Sequence, residues 1–438
     1  MPQVAGGRPR PPRGFRDFPP EVMILRKRLL SRLERVFESY GFDPLDTPAV
    51  EYWETLSGKY GEEAESRLIW RFQDPWSGRW YALRYDLTVP LARFVASNPG
   101  LPMPFKRYHI GKVWRHEEPQ KGRYREFVQC DADIVGSPYP EADAEIVSLA
   151  VDSIDALGLP GFRVRVNDRR LLAGVFEEEL GFDNPLPIYR AIDKLDKIGV
   201  EGVRRELERL GLPGSTVERI MEIISWRGRP GEVLESVRRG YGSNEKVREA
   251  LDHLEEMLSL ADDKRVELDM SLVRGLDYYT GPILEVVLDE PRIGSVAGGG
   301  RYDGLVGMFA GRDIPATGVS IGIERIIDAG LELGVYSLDV KTVAQVAVVV
   351  LDRRYYRYAW EAARILRRGG LNVRIDLSRA SGQVQRRKAS RLGIPVLAFV
   401  GAKEAEGGFL TLYSAAKGER VAVPLGEAVK AVERLLPS

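Results

Sequence analysis

A chain of 438 residues, 44% hydrophobic and 29% charged, suits roughly two to four folded domains and excludes disorder as its main state. A single cysteine, Cys130, and three histidines, His109, His116 and His253, exclude an intrachain disulfide and any metal site built from Cys/His ligands in number. Lys+Arg and Asp+Glu balance at 64 each, yet residues 341–438 hold 18 basic and 8 acidic residues, so this end is +10 and the remainder −10; that suits a polyanion docked at one end and equally a solvated basic surface.

No apolar run approaches the ~18 residues of a membrane span. Residues 1–20 are rich in Pro, Gly and Arg and lack the apolar segment of a secretory leader. The expectation is a cytoplasmic protein with no membrane association.

Taken in chain order, Val22, Leu25, Leu29, Leu33, Val36 and Phe37 predict an amphipathic helix over 22–40, stopped by Gly41. A proline-punctuated extended segment, 42–48, follows. Residues 67–84 alternate as a hairpin with its turn near 74–78. Residues 104–136 predict two strands joined by a long polar loop. A helix over 139–158 opens on Glu141, Asp143 and Glu145, acids that complement the helix dipole. From 168 to about 260 the pattern is almost wholly helical. Strands return at 265–288, 293–300 and 316–322, and a helix follows from Glu324. Beyond a turn near 334–342 the order becomes βαβαβ, then a hairpin (409–424) and a last helix (426–436).

Three separated segments mix arginine with glycine and aromatic residues. The first runs from Arg107 to Asp133. Arg115 ends its outgoing strand, and the loop carries Glu117, Gln120, Lys121 and Arg123. Its return strand puts Phe127, Gln129, Asp131 and Asp133 on one face. The second holds Arg274 in Arg274-Gly-Leu-Asp-Tyr-Tyr279, and the third holds Arg325 in Gly322-Ile-Glu-Arg325. Arginines so spaced can grip phosphate oxygens in bidentate fashion, although an isolated arginine is more often a surface ion pair. Gly298–Gly304 reads as a close backbone approach or a bulged strand end rather than a phosphate loop, because the GxGxxG spacing is absent.

These segments resemble the class II aminoacyl-tRNA synthetases, and within them the histidyl-tRNA synthetase family. Asp46-Thr-Pro-Ala-Val-Glu51 is similar to motif 1, with Pro48 at its dimer interface. Residues 114–129 are similar to motif 2, and Gly318-Val-Ser-Ile-Gly-Ile-Glu-Arg325 to motif 3. Arg274–Tyr279 and Gly299–Gly304 are similar to the two histidine-specific blocks. The wording Arg84-Tyr-Asp-Leu-Thr-Val-Pro90 resembles the archaeal and eukaryotic branch. Asp86 and Asp133 stand where the bacterial branch commonly has glutamate.

The resemblance implies an α+β architecture. A class II catalytic domain on an antiparallel sheet would occupy 1–167 and 261–334. A helical insertion would occupy 168–260, either clamping an acceptor stem or acting as a buttress. A mixed α/β anticodon-binding domain would occupy 342–438. It implies activation of L-histidine by ATP, with Mg²⁺ carried by the nucleotide, then transfer to tRNA(His) by a homodimer. Arg115, Arg274 and Arg325 would be catalytic. Arg115, Glu117, Arg123 and Arg325 would bind ATP. Asp86, Thr88, Gln129, Asp133, Arg274, Tyr278, Tyr279 and Tyr302 would bind histidine, with Asp86, Thr88 and Gln129 on its α-ammonium and Asp133 and Tyr279 reading the imidazole. Arg386, Arg387, Lys388 and Arg391 would face the anticodon.

The chemistry agrees with such a site. Carboxylate attack on a phosphorus needs positioning and positive charge, with no nucleophile from the protein. A polar pocket can satisfy both ring nitrogens and reject analogues that lack them. His109, within a strand, is expected to be structural. A histidine-sensing regulatory subunit of ATP phosphoribosyltransferase is the alternative; such paralogues generally lack the C-terminal domain and erode the phosphate-gripping arginines. A class II enzyme for Pro, Thr or Gly finds no support in the 274–279 block.

Overall fold

The computed structural model describes residues 9–61, 64–120, 122–273 and 279–437, which form two compact units. Arg274, Tyr278 and Lys121 lie outside the described residues. Of the described residues, those up to 17 and 29–335 belong to the first unit, and 18–28 and those from 336 onward to the second.

The strands of the first unit are β1 (Asp43–Pro44), β2 (Val50–Tyr52), β3 (Arg71–Gln73), β4 (Trp80–Leu83), β5 (Phe105–Trp114), β6 (Glu126–Val135), β7 (Phe162–Asp168), β8 (Arg227–Gly228), β9 (Val266–Asp269), β10 (Pro282–Leu288), β11 (Ser295–Arg301) and β12 (Ala316–Gly322). Among the described residues they make one sheet in the order β1-β5-β6-β12-β11-β10-β7-β9-β8 and a small one in the order β2-β4-β3. The run from β5 to β7 is antiparallel throughout. Parallel pairing enters only toward the edges, where β1 meets β5 and β7 meets β9.

Helix Pro140–Leu157 packs on this sheet and buries Ile146, Leu149, Ala150 and Ile154, spaced at about one turn. Asp143, in its first turn as the sequence predicts, does more than complement the helix dipole. Its carboxylate is buried, receives Nη2 of Arg301 at 2.7 Å, and lies 2.8 Å from Nε2 of His253. His253 sits on helix Glu245–Leu260, which closes the helical stretch and packs back onto Pro140–Leu157. Residues 168–260 thus form a run of helices, interrupted by β8, that lies within the same compact unit as the sheet.

The second unit is a five-stranded sheet of β13 (Val346–Val350), β14 (Val373–Ile375), β15 (Val396–Val400), β16 (Phe409–Ser414) and β17 (Glu419–Pro424), in the order β14-β13-β15-β16-β17. β13 pairs in parallel with β14 and β15, and helices Tyr356–Arg368 and Gly382–Arg391 supply the crossovers that parallel strands need. β13 and β15 are buried on both faces, which is why they read as unbroken Val/Ala/Leu/Phe runs. Helix Ala402–Gly407, flanked by glycines, gave no periodic signal in the sequence.

Candidate active site

The site is built on the open face of β6 and β12. Two-residue periodicity puts Phe127, Gln129, Asp131 and Asp133 of β6 on that face, as the alternation predicts. Two adjoining cavities lie over it.

The first has a volume of about 330 Å³ and is lined by Arg115, Glu117, Arg123, Phe127 and Arg325, among others. Every residue that the resemblance assigned to ATP is therefore on one wall system. Arg115 follows directly on β5. Its guanidinium lies over the Tyr85 ring at 4.4 Å and over that of Phe127 at 5.1 Å, and its Nε donates to the Tyr85 carbonyl at 3.2 Å. Two rings and a carbonyl fix the head group before any ligand arrives. Arg325 leaves the first turn of helix Ile323–Glu332, and its Nη1 donates to the Ser295 carbonyl at 2.6 Å. Glu324, which the sequence reading passed over, also lines this cavity and accepts from the Val128 N–H at 3.1 Å.

The second cavity, about 450 Å³, is lined by Asp86, Thr88, Gln129, Asp133, Tyr279 and Tyr302. These are all the described residues that the resemblance assigned to histidine. Arg115, Gln129, Gly298 and Ser320 line both cavities, so the two are continuous.

Asp86 serves the fold and the pocket at once. Its Oδ1 accepts from the Val89 N–H at 3.1 Å, holding the start of helix Thr88–Ser97, and from the Tyr60 hydroxyl at 2.9 Å. Burial raises its pKa above the ordinary carboxylate value. Asp133 forms an ion pair with Arg107, Nη2 to Oδ2 at 2.8 Å, and accepts from the Tyr302 hydroxyl. Burial pushes Asp133 up and Arg107 opposes the shift. Arg107 is fully buried and directly opposite Asp133 in the β5–β6 register.

Sequence reasoning missed Arg107, Asp131, Ser320 and Tyr60. Only Asp131 carried a usable signal, its place on the face shared by Gln129 and Asp133. The glycines line the wall by close approach: a Cβ on Gly318 would stand 2.1 Å from Asp133 Oδ1, and one on Gly299 would stand 2.1 Å from the Gly318 carbonyl. His109 is buried, 2.9 Å from Asp46, and lines neither cavity; burial and the neighbouring arginines Arg107 and Arg84 push its pKa down to about 4. In the second unit, Arg386, Arg387, Lys388 and Arg391 lie exposed on helix Gly382–Arg391, where Lys388 donates to Ser378 Oγ at 2.7 Å.

Comparison with known proteins bears on the chain as a whole. Residues 14–326 match the histidyl-tRNA synthetase family model, and residues 345–435 match an anticodon binding domain. The chain is 59% identical over 425 residues to a histidine–tRNA ligase of Korarchaeum cryptofilum, covering 97% of this chain and 98% of that protein. It is 45% identical to that of Nanoarchaeum equitans, over 95% and 96% of the two chains. The solved histidyl-tRNA synthetase of Nostoc sp. PCC 7120 superimposes with a TM-score of 0.85 at 31% identity, covering 98% and 99%. A Bacillus halodurans structure titled as an ATP phosphoribosyltransferase regulatory subunit/histidyl-tRNA synthetase shares the fold, with a TM-score of 0.74 at 24% identity, over 90% and 99% of the two chains.

Proposed function

The chain belongs to the histidyl-tRNA synthetase family, and on that premise we propose that its two continuous cavities are the nucleotide and amino-acid halves of one activation site. Its activity is ATP-dependent ligation of histidine to tRNA. The observation that carries the site assignment is the shared boundary formed by Arg115, Gln129, Gly298 and Ser320. A reaction that joins an amino-acid carboxylate to an α-phosphate needs both partners to meet at one seam.

In this reading ATP occupies the cavity walled by Arg115, Glu117, Arg123 and Arg325, and L-histidine the cavity walled by Asp86, Thr88, Gln129, Asp133, Tyr279 and Tyr302. A carboxylate oxygen of histidine attacks the α-phosphorus, the bond to the pyrophosphate oxygen breaks, and histidyl-adenylate forms. A terminal ribose hydroxyl of tRNA(His) then attacks the carbonyl carbon and AMP leaves. Arg115, held at the seam, faces the charge that develops on the α-phosphate; Arg325 anchors the far phosphates. The carboxylates of Glu117 and Glu324 line the nucleotide cavity and would hold a magnesium ion carried by the triphosphate, which would neutralise phosphate charge. Arg274 and Tyr278 complete the proposal by resemblance alone.

Three further assignments belong to this reading. The basic end, 342–438, docks the anticodon arm through the exposed arginines of helix Gly382–Arg391. The helices of 168–260 meet the acceptor stem. A homodimer forms around Pro48, supported by exposed Tyr52, Phe72 and Trp80 on the neighbouring small sheet. No helix among the described residues is long and apolar enough to cross a membrane.

Histidine-dependent ATP–pyrophosphate exchange tests the site. Exchange stimulated by L-histidine alone among the amino acids, and lost in Arg115→Ala, is expected. Histidine binding without exchange would favour the regulatory-subunit alternative, against which the retained Arg115 and Arg325 and the second unit already count.

A further inference from the structure

The amino-acid cavity holds one more carboxylate than its assigned residues use. Asp131 lies between Gln129 and Asp133 on the pocket face of β6, lines the cavity and is 2% exposed. It stands opposite Ser320 in the β6–β12 register. The Ser320 hydroxyl lies between both neighbours. Its oxygen accepts from Gln129 Nε2 at 2.7 Å, and it is near enough to Asp131 to favour the ionised carboxylate.

This chain of bonds leaves two acceptors without a donor, Gln129 Oε1 and Asp131 Oδ1, both shielded from solvent. Unsatisfied buried acceptors cost free energy and are rare in folded proteins. A pair of them in the wall of a cavity is what remains when the missing donors arrive with a ligand. Asp86 lines the same cavity and is near enough for its charge to act on Asp131.

We propose that Asp131 is a further substrate-binding residue: its carboxylate takes one N–H of the α-ammonium of histidine, while Gln129 Oε1 and Asp86 take the other two. The proposal rests on reading this cavity as the amino-acid site. Three N–H groups then meet three acceptors. The ammonium, rather than the ring, is the partner because of position. Gln129 and Ser320 sit at the seam with the nucleotide cavity, where the substrate carboxylate must lie, and the ammonium is attached to the carbon next to it. The ring extends away, toward Asp133 and Tyr302. Charge points the same way. Asp86, Asp131 and Asp133 face the cavity against the buried Arg107 and, at the seam, Arg115, so three acidic groups meet two cations and a ligand's ammonium completes the balance. Burial pushes Asp131 up to about 7, with Asp133 and Asp86 adding to the shift and Arg107 opposing it. His109 is its cross-strand neighbour on β5.

The test uses the full chain carrying Asp131→Asn and three probes: L-histidine, L-histidinol, and 3-(imidazol-4-yl)propionate. The last keeps the ring and the carboxylate but has no amino group, and is titrated in millimolar excess as a competitor of exchange. Loss of a charge-assisted hydrogen bond should weaken histidine and histidinol by about 10–100-fold. The propionate should change by less than about 3-fold, and KM for ATP should hold. Equal weakening of all three probes would show a structural role, and no weakening of any would show no role; either overturns the inference. Ser320→Ala, which removes the bridge but leaves both acceptors, should show the same selectivity in weaker form. Failure of the unmodified chain to bind L-histidine at all would instead sink the reading of the cavity.

Discussion

Arg107→Met tests whether the pocket floor is an electrostatic unit. Arg107 is fully buried, its Nη2 lies 2.8 Å from Asp133 Oδ2 and 3.1 Å from the Leu87 carbonyl, and methionine fills much of its volume. Removing one partner of a buried ion pair costs about 3–5 kcal/mol when the other charge stays behind. Asp133 can escape part of that cost by taking a proton, because burial already raises its pKa and Arg107 is the main influence holding it down. In the variant the folded state therefore holds this proton more tightly than the unfolded state, whose carboxylate titrates near 4. Stability should be nearly that of the parent near pH 4 and fall as pH rises, reaching a deficit on the order of 3 kcal/mol by pH 8. Urea unfolding at pH 4.5, 6 and 8 reads this directly, and histidine-dependent exchange should show KM for histidine raised with KM for ATP unchanged. Adding Asp133→Asn should recover most of the stability and none of the histidine affinity. A loss of stability that is the same at every pH would refute the coupling and reduce Arg107 to a packing residue.

Other outcomes follow from the same geometry. Gly318→Ala drives a Cβ to within 2.1 Å of Asp133 Oδ1 and 2.9 Å of the Ala132 carbonyl, so histidine activation should fall by at least about tenfold with a lowered Tm; parental kinetics would show that the wall yields. In the ligand-free protein Asp131→Asn should be stabilising at pH 8 by on the order of 2–4 kcal/mol, because a carboxylate whose folded pKa is raised loses stability as pH climbs from about 4 through 7; the gain should vanish toward pH 4 in thermal unfolding. Arg386→Glu with Arg387→Glu should cut tRNA charging by about tenfold or more, with a shallower salt dependence, while leaving pyrophosphate exchange intact. Equal loss of both activities would remove the separate RNA-docking role from that helix.

The parts of the site that sequence could expose were those with a local period. β6 was legible because alternation sorts Gln129, Asp131 and Asp133 onto one face before any partner is known. Helix Thr88–Ser97 was not: it begins Thr-Val-Pro, residues that favour extended chain, and it is held by the Asp86 carboxylate and by a buried face that only tertiary packing supplies. Helix Asp303–Ala310 was hidden in the same way by its glycines. Charges were the harder case. Arg107, Asp131 and Asp143 each sit in an element where a charged residue ordinarily faces water, and nothing near them in the chain announces burial. Their partners Asp133, Ser320 and Arg301 arrive from other strands, so the signal exists only after the sheet has formed. Resemblance to the family assigned Asp133, Tyr302 and Arg115 and passed over Arg107, the buried cation paired with Asp133.

The glycine wall limits how this pocket can be altered. A side chain that lines a cavity can be shortened to make room, but Gly298, Gly299 and Gly318 have nothing left to remove, and β11 and β12 cannot separate without breaking their ladder. Mutation on that side only subtracts space. The bulk that can be trimmed toward a larger amino acid lies mostly in the aromatic residues Tyr60, Tyr85, Tyr279 and Tyr302, and two of these carry hydroxyls already spent on Asp86 and Asp133. Enlarging the site at Tyr60 or Tyr302 therefore releases a buried carboxylate, so at those two positions discrimination against larger substrates and the stability of the acidic floor change together.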